Sequence, residues 1–145
     1  MKILLAYDGF EHSRSALEEV ALLAHEDDGS TAVTIASVVP ESEARASKAG
    51  GHRLLAPHAH IDVARGHEFL ADRGVASEMK VLHGDPVEEL CREAKTGGYD
   101  LVVTGSRALG PLAGLVLGSV SRKLVSKLSV PVLVAGRNGP MRAAA

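Results

Sequence analysis

Apolar residues in this chain follow two spacings, and the switches between them predict alternating strands and helices. Lys2–Tyr7 is a short apolar run that stops at Asp8-Gly9 and reads as a buried strand. Ser13–Ala24 places Ala16, Leu17, Val20, Ala21, Leu23 and Ala24 along one side, which is helical spacing, and Asp27-Asp28-Gly29 ends it. Thr31–Val39 is β-branched and apolar, a second strand stopped by Pro40. His58–Arg73 predicts a helix closed by Gly74, and Ser77–Leu82 a strand charged enough to sit at a sheet edge. Asp85-Pro86 opens the next helix. Asp85 is placed to cap, Pro86 suits the first helical position, and Glu88 and Glu89 suit the positive end of the helix. Val87, Leu90, Cys91 and Ala94 form its apolar stripe, and Gly97-Gly98 ends it. Leu101–Val103 is an almost wholly apolar strand. Ser119–Leu128 is the last helix, with Val120, Leu124 and Leu128 facing inward. Val130–Val134 is the last strand, and the Gly-, Arg- and Ala-rich stretch after Gly136 predicts a flexible tail over 137–145.

This order predicts an α/β domain: a doubly wound, five-stranded parallel sheet with helices on both faces. Right-handed crossovers favour the flavodoxin-like strand order 3-2-1-4-5. Ligands then bind at the carboxyl ends of strands 1 and 4, where the order reverses. Asp8 ends strand 1 and Thr104-Gly105 ends strand 4, so two polar strand ends meet there. No internal repeat and no second domain is evident. The polar stretch 41–57, with Gly50-Gly51, is expected to be a flexible loop, whose length and position would permit a lid.

Composition narrows the functional classes. Apolar residues make up 46% and charged residues 23%, which fits a soluble globular protein. The chain has no Trp, two Tyr and two Phe, so the core must be aliphatic and a base-stacking surface is not expected. A net charge of −2 advertises neither a nucleic-acid nor a membrane partner. No apolar run reaches the ~18 residues of a membrane helix. The single cysteine, Cys91, excludes an internal disulfide and suits a reducing compartment, so a cytoplasmic location is expected. Cys91 also lies on an apolar stripe, where a core role outweighs a nucleophilic one.

The stretch Leu101–Ser119, LVVTGSRALGPLAGLVLGS, carries the functional signal. It reads as a strand, a glycine-rich loop and a helix start. Such a loop gathers backbone N–H groups, and the positive end of the next helix faces whatever anion they hold. It lacks the Gly-Lys-Ser/Thr of a P-loop, and it is neither a GxGxxG nor placed after the first strand. Its pattern is Gly-x2-Gly-x9-Gly-Ser with one departure. Gly105 opens it, Ala108 stands at the second glycine, and Gly118-Ser119 close it. Asp8 follows strand 1, Gly84-Asp85-Pro86 follow strand 3, and LGSVSRKLVSKLSVPVLVA comes at the end. With these the chain resembles the universal stress protein family over nearly its whole length.

That resemblance implies a domain over 1–136 with an adenine-nucleotide α-hydrolase-like sheet. It also implies a stress-response regulatory module that binds ATP or another adenine nucleotide, with Mg2+ as an accompanying ion. By position, Asp8 would lie near the ribose or base, and the backbone at Val38, or by a one-residue slip Val39, would meet the adenine. Gly105, Gly118, Ser119 and Ser121 would contact phosphates, Val120 and Ala108 would belong to the nucleotide site with them, and Arg107 beside Ala108 could reach a phosphate. A homodimer through Val130–Val134 is implied as well, and an apolar edge strand allows it. Gly9-Phe10 departs from the Gly-Ser common in the family, which could fill or narrow the mouth of the site. If position 108 needs a positive φ, Ala108 costs on the order of 1 kcal/mol. The alternatives are a nucleotide-free dimeric interaction protein with a structural loop, or a weak ATPase.

Other constellations are weaker. Asp8 before Gly9 could simply form a turn, and Asp85 is better read as a helix cap than as a ligand. His60 and His67 would share a helix face, but no cysteine or carboxylate completes a metal set. His12-Ser13 near Asp8 lacks the geometry of a triad, since neighbours on a helix point apart and no Gly-x-Ser-x-Gly elbow exists.

Overall fold

A computed structural model describes residues 1–9, 11–41, 57–106, 118–136 and 139–143. Its strands are β1 (Lys2–Ala6), β2 (Ala32–Val39), β3 (Ser77–His83), β4 (Leu101–Gly105), β5 (Val132–Gly136) and β6 (Gly139–Ala143). Its described helices are α1 (Glu11–Glu26), α2 (Pro57–Ala71), α3 (Pro86–Thr96) and α4 (Ser119–Lys127). The sheet order is β3-β2-β1-β4-β5-β6. The first five strands are parallel, in the expected order 3-2-1-4-5, and β6 is antiparallel to β5.

β1 lies at the centre, and its pleat feeds two cores. Ile3 and Leu5 pack with Leu17 and Val20 of α1 and with Val63 and Leu70 of α2. Leu4 packs on the other face with Leu90 and Cys91 of α3 and Leu124 of α4. All three β1 side chains are fully buried. Strands covered on both faces carry continuous apolar runs, which is why β1 and β4 were legible. β3, the more polar strand, lies at the sheet edge as its composition suggested. His67 Nδ1 lies 2.8 Å from Ser77 Oγ and ties α2 to the start of β3.

α3 starts as its sequence dictates. Asp85 is extended (φ −71°, ψ 126°), and its Oδ1 accepts from the Glu88 backbone N–H at 3.0 Å. Pro86 takes the first turn, Lys95 lies in the last, and Gly97 N–H donates to the Glu93 carbonyl. Val87, Leu90, Cys91 and Ala94 are its buried residues, and Cys91 is a free thiol.

Two expectations about the C-terminal end need correction. The flexible tail expected over 137–145 contains a strand: Gly139–Ala143 pairs antiparallel with β5, Gly136 opposite Gly139 and Val132 opposite Ala143. The Val130–Val134 strand therefore does not lie at a sheet edge. β5 is an inner strand between β4 and β6. A Gly- and Ala-rich stretch carries no strand signature, yet its peptide groups complete a ladder as any residue's do. β5 itself begins at Val132, after Pro131, whose carbonyl accepts from Val102 N–H at 3.0 Å.

Candidate functional site

The carboxyl ends of β1 and β4 open into a cavity of about 590 Å³. This is the point where the strand order reverses, and the volume suits a small-molecule ligand. Ala6 and Thr104, directly opposite each other in the β1–β4 register, line it from the sheet.

β2 forms one wall because it runs past the end of β1. Ala6 is opposite Ala36, and Tyr7 N–H donates to the Ala36 carbonyl at 2.9 Å. The Val39 carbonyl faces the other way and accepts from Gly84 N–H at 3.0 Å. Alternation along the strand therefore turns the N–H and C=O of Val38 to the β1 side, beyond the last residue of β1. Val38 lines the cavity with one donor and one acceptor that a planar heterocycle edge can match.

α4 supplies the opposite kind of chemistry. Its cap residue is Gly118 (φ −60°, ψ 160°), which has no side chain to satisfy the first-turn N–H groups. Those of Ser119, Val120 and Ser121 have no acceptor within the helix. All three residues line the cavity with Gly118. They present donors and the positive end of the helix, the arrangement that binds an anion. The Ser121 hydroxyl is engaged elsewhere. It donates to the Gly105 carbonyl at 3.0 Å and lies 3.3 Å from Thr104 Oγ1. Ser121 thus ties α4 to the end of β4 and keeps its N–H for the cavity.

The third side of the cavity is acidic. Asp8 is exposed at the end of β1, and Asp62, half-buried, reaches in from α2 together with His58. Gly9 makes room for Asp62. Its φ is +79°, and a Cβ there would overlap the Asp62 carboxyl group. Burial pushes the Asp62 carboxyl above its ordinary range, His58 and Arg65 pull it down, and Asp8 adds to the rise. The Tyr7 hydroxyl is also pushed up, first by burial and then by the charges of Asp62 and Asp8. Among the described residues the cleft is therefore polarised, with carboxylates on the β1 and α2 side and the N-terminus of a helix on the α4 side.

Residues 1–136 match the sequence profile of the universal stress protein family. The chain belongs to that family. Among its relatives, the universal stress protein YxiE of Bacillus subtilis is 32% identical over 146 residues, covering 92% of this chain and 97% of that protein. The solved structure of MJ0577, a universal stress protein of Methanocaldococcus jannaschii, superposes with a TM-score of 0.78 at 28% identity, covering 94% of this chain and 95% of that one. A universal stress protein family member from Arabidopsis thaliana, solved with AMP bound, shares the fold at a TM-score of 0.72 and 19% identity, over 95% and 92% of the two chains.

In this family member, Asp8, Val38, Gly105, Gly118, Ser119, Val120 and Ser121 all line the one cavity. Arg107 and Ala108, with Gly110, Gly114 and Phe10, lie outside the described residues, as does nearly all of the 41–57 stretch. Asp85 does not line the cavity, and its carboxylate serves α3. Among the described residues no group of three His, Cys, Asp or Glu side chains could hold a metal ion, and no helix is long and apolar enough to cross a membrane. His58 and Asp62 were not expected at the site. Their signal was a histidine and an aspartate four apart at the start of a helix, hence on one face. It acquires meaning only once α2 is placed against Gly9.

Proposed function

We propose that this universal stress protein is a regulatory module of the stress response that binds an adenine nucleotide, ATP included, in the cleft between β2 and α4. One observation carries the reading. A single cavity has a backbone N–H and C=O of a strand, at Val38, on one wall and a helix N-terminus whose Gly118 cap brings no side chain, at Gly118–Ser121, on another. A base edge suits the first, and a phosphate suits the second. The AMP bound by the Arabidopsis relative supports the assignment. An Mg2+ ion would arrive with ATP, held by its phosphates. A binding module needs no more than this cleft, whereas a phosphoryl-transfer enzyme also needs a group that positions water or acceptor.

The proposed location is the cytoplasm, where a free thiol such as Cys91 persists. A homodimer through Val130–Val134 belongs to this reading only if β6 leaves the β5 edge or the partner pairs beyond it. Calorimetry with ATP, ADP, AMP and cyclic AMP tests the binding, together with mass spectrometry of nucleotide released from denatured protein. Saturable binding of at least one ligand is expected. Silence from all four at millimolar concentration would overturn the reading.

A further inference from the structure

The acidic side of the cleft is built by two elements. Asp8 comes from the end of β1 and Asp62 from α2, and they share one cavity. They are close enough for the charge of Asp8 to act on Asp62, and for both to act on Tyr7 between them in influence. The closeness depends on Gly9. A Cβ at position 9 would overlap the Asp62 carboxyl group where it lies, and the positive φ suits glycine as well. Among the described residues, His58 and Arg65, both on α2 and both exposed, act to lower the Asp62 carboxyl. Arg14 of α1 acts on the neighbouring Tyr7. Exposed groups such as these act through water and salt, which screen them, while Asp62 is half-withdrawn from solvent.

A nucleotide laid across the cleft has its base at Val38 and its 5′-phosphate at α4. Its ribose then faces the third side. Ionised carboxylates only accept hydrogen bonds, so they match sugar hydroxyls and repel a phosphate. We propose that Asp62 is a specificity-determining residue which, with Asp8, selects adenine nucleotides bearing a free 3′-hydroxyl against those phosphorylated at that position. This rests on the adenine-nucleotide reading above. The ligand class is thereby narrowed to 5′-phosphorylated adenosines with a free 3′-hydroxyl.

The test compares AMP with adenosine 3′,5′-bisphosphate, which differs only by the second phosphate. Titration calorimetry at one low salt concentration gives the ratio of their affinities. Wild type is expected to favour AMP by about tenfold or more, the scale of repulsion between a phosphate and a carboxylate a few ångströms apart in a wet site. Asp62→Asn keeps the shape and removes the charge, and it should shrink the ratio severalfold. Asp62→Ser serves as the second variant if circular dichroism shows the first to be misfolded. A wild type that binds AMP, with a ratio unchanged in the folded variant, would overturn the role of Asp62 and leave nucleotide binding standing. A wild type that binds neither ligand at millimolar concentration would remove the nucleotide reading and this inference with it.

Discussion

The hydroxyl of Ser121 donates to the backbone carbonyl of Gly105 at 3.0 Å, joining the first turn of α4 to the last residue of β4. Both partners are buried, so neither finds water if the other is lost. Ser121→Ala should therefore lower stability by about 1–2 kcal/mol, the cost of leaving a buried carbonyl unpaired. It should also weaken nucleotide binding severalfold, because the N–H groups of α4 lose their registration with the cleft. Thermal denaturation and calorimetry on the same sample check both effects. Unchanged affinity with reduced stability would mean that the tie is structural only.

Asp85 provides the contrast. Its carboxylate accepts from Glu88 N–H at the start of α3 and does not line the cavity. Asp85→Ala removes a helix cap and should destabilise the fold by about 1 kcal/mol. Nucleotide affinity, measured well below the melting temperature, should stay within twofold of wild type. A large loss of affinity without unfolding would place Asp85 at the ligand after all.

Asp27 governs part of the acid response. Its carboxylate accepts hydrogen bonds from Thr31 Oγ1 at 2.7 Å and Ser30 Oγ at 2.8 Å, and pairs with the N-terminal ammonium of Met1 at 3.2 Å. These contacts lower its pKa to about 2, from an ordinary value of 3.8. A carboxyl group whose pKa is depressed by folding stabilises the native state only while ionised. The contribution is complete above pH 3.8 and is lost as pH falls towards 2. Melting temperature followed from pH 5 to pH 2 should therefore fall less steeply in Asp27→Asn than in wild type. Parallel curves would mean that Asp27 makes no net contribution.

How far the sequence could be read depended on what each feature is made of. β1 and β4 announce themselves because burial on both faces demands unbroken apolar runs, and α3 because its cap, proline and acidic first turn are all side-chain signals. The α4 side of the cleft was legible through Gly118-Ser119, since a glycine before a helix brings no side chain to cap it. Val38 was harder. Its proposed role lies in backbone groups whose direction depends on where β1 stops, and only the family resemblance pointed to it. Asp62 was invisible for a related reason. It reaches the site through the room left by Gly9, 53 positions earlier in the chain. The role of β6 was hidden because strand pairing at a sheet edge uses peptide groups that every residue carries.

β6 also covers the strand through which copies of this chain were expected to meet. It occupies the ladder of β5 from Val132 to Gly136, which would otherwise present unpaired N–H and C=O groups beside an apolar strand. Such an edge invites pairing with another copy. Ending the chain after Gly136 removes β6 and exposes β5. The truncated protein should self-associate more strongly than the full chain at equal concentration, as read by analytical ultracentrifugation over a dilution series. β5 supplies Val132, Leu133 and Val134 to the core whether or not β6 is present, so the truncated chain should keep its far-ultraviolet circular dichroism apart from the loss of one short strand. Equal association constants for the two proteins would show that β6 does not guard the edge, and that copies of the full chain reach each other by another surface.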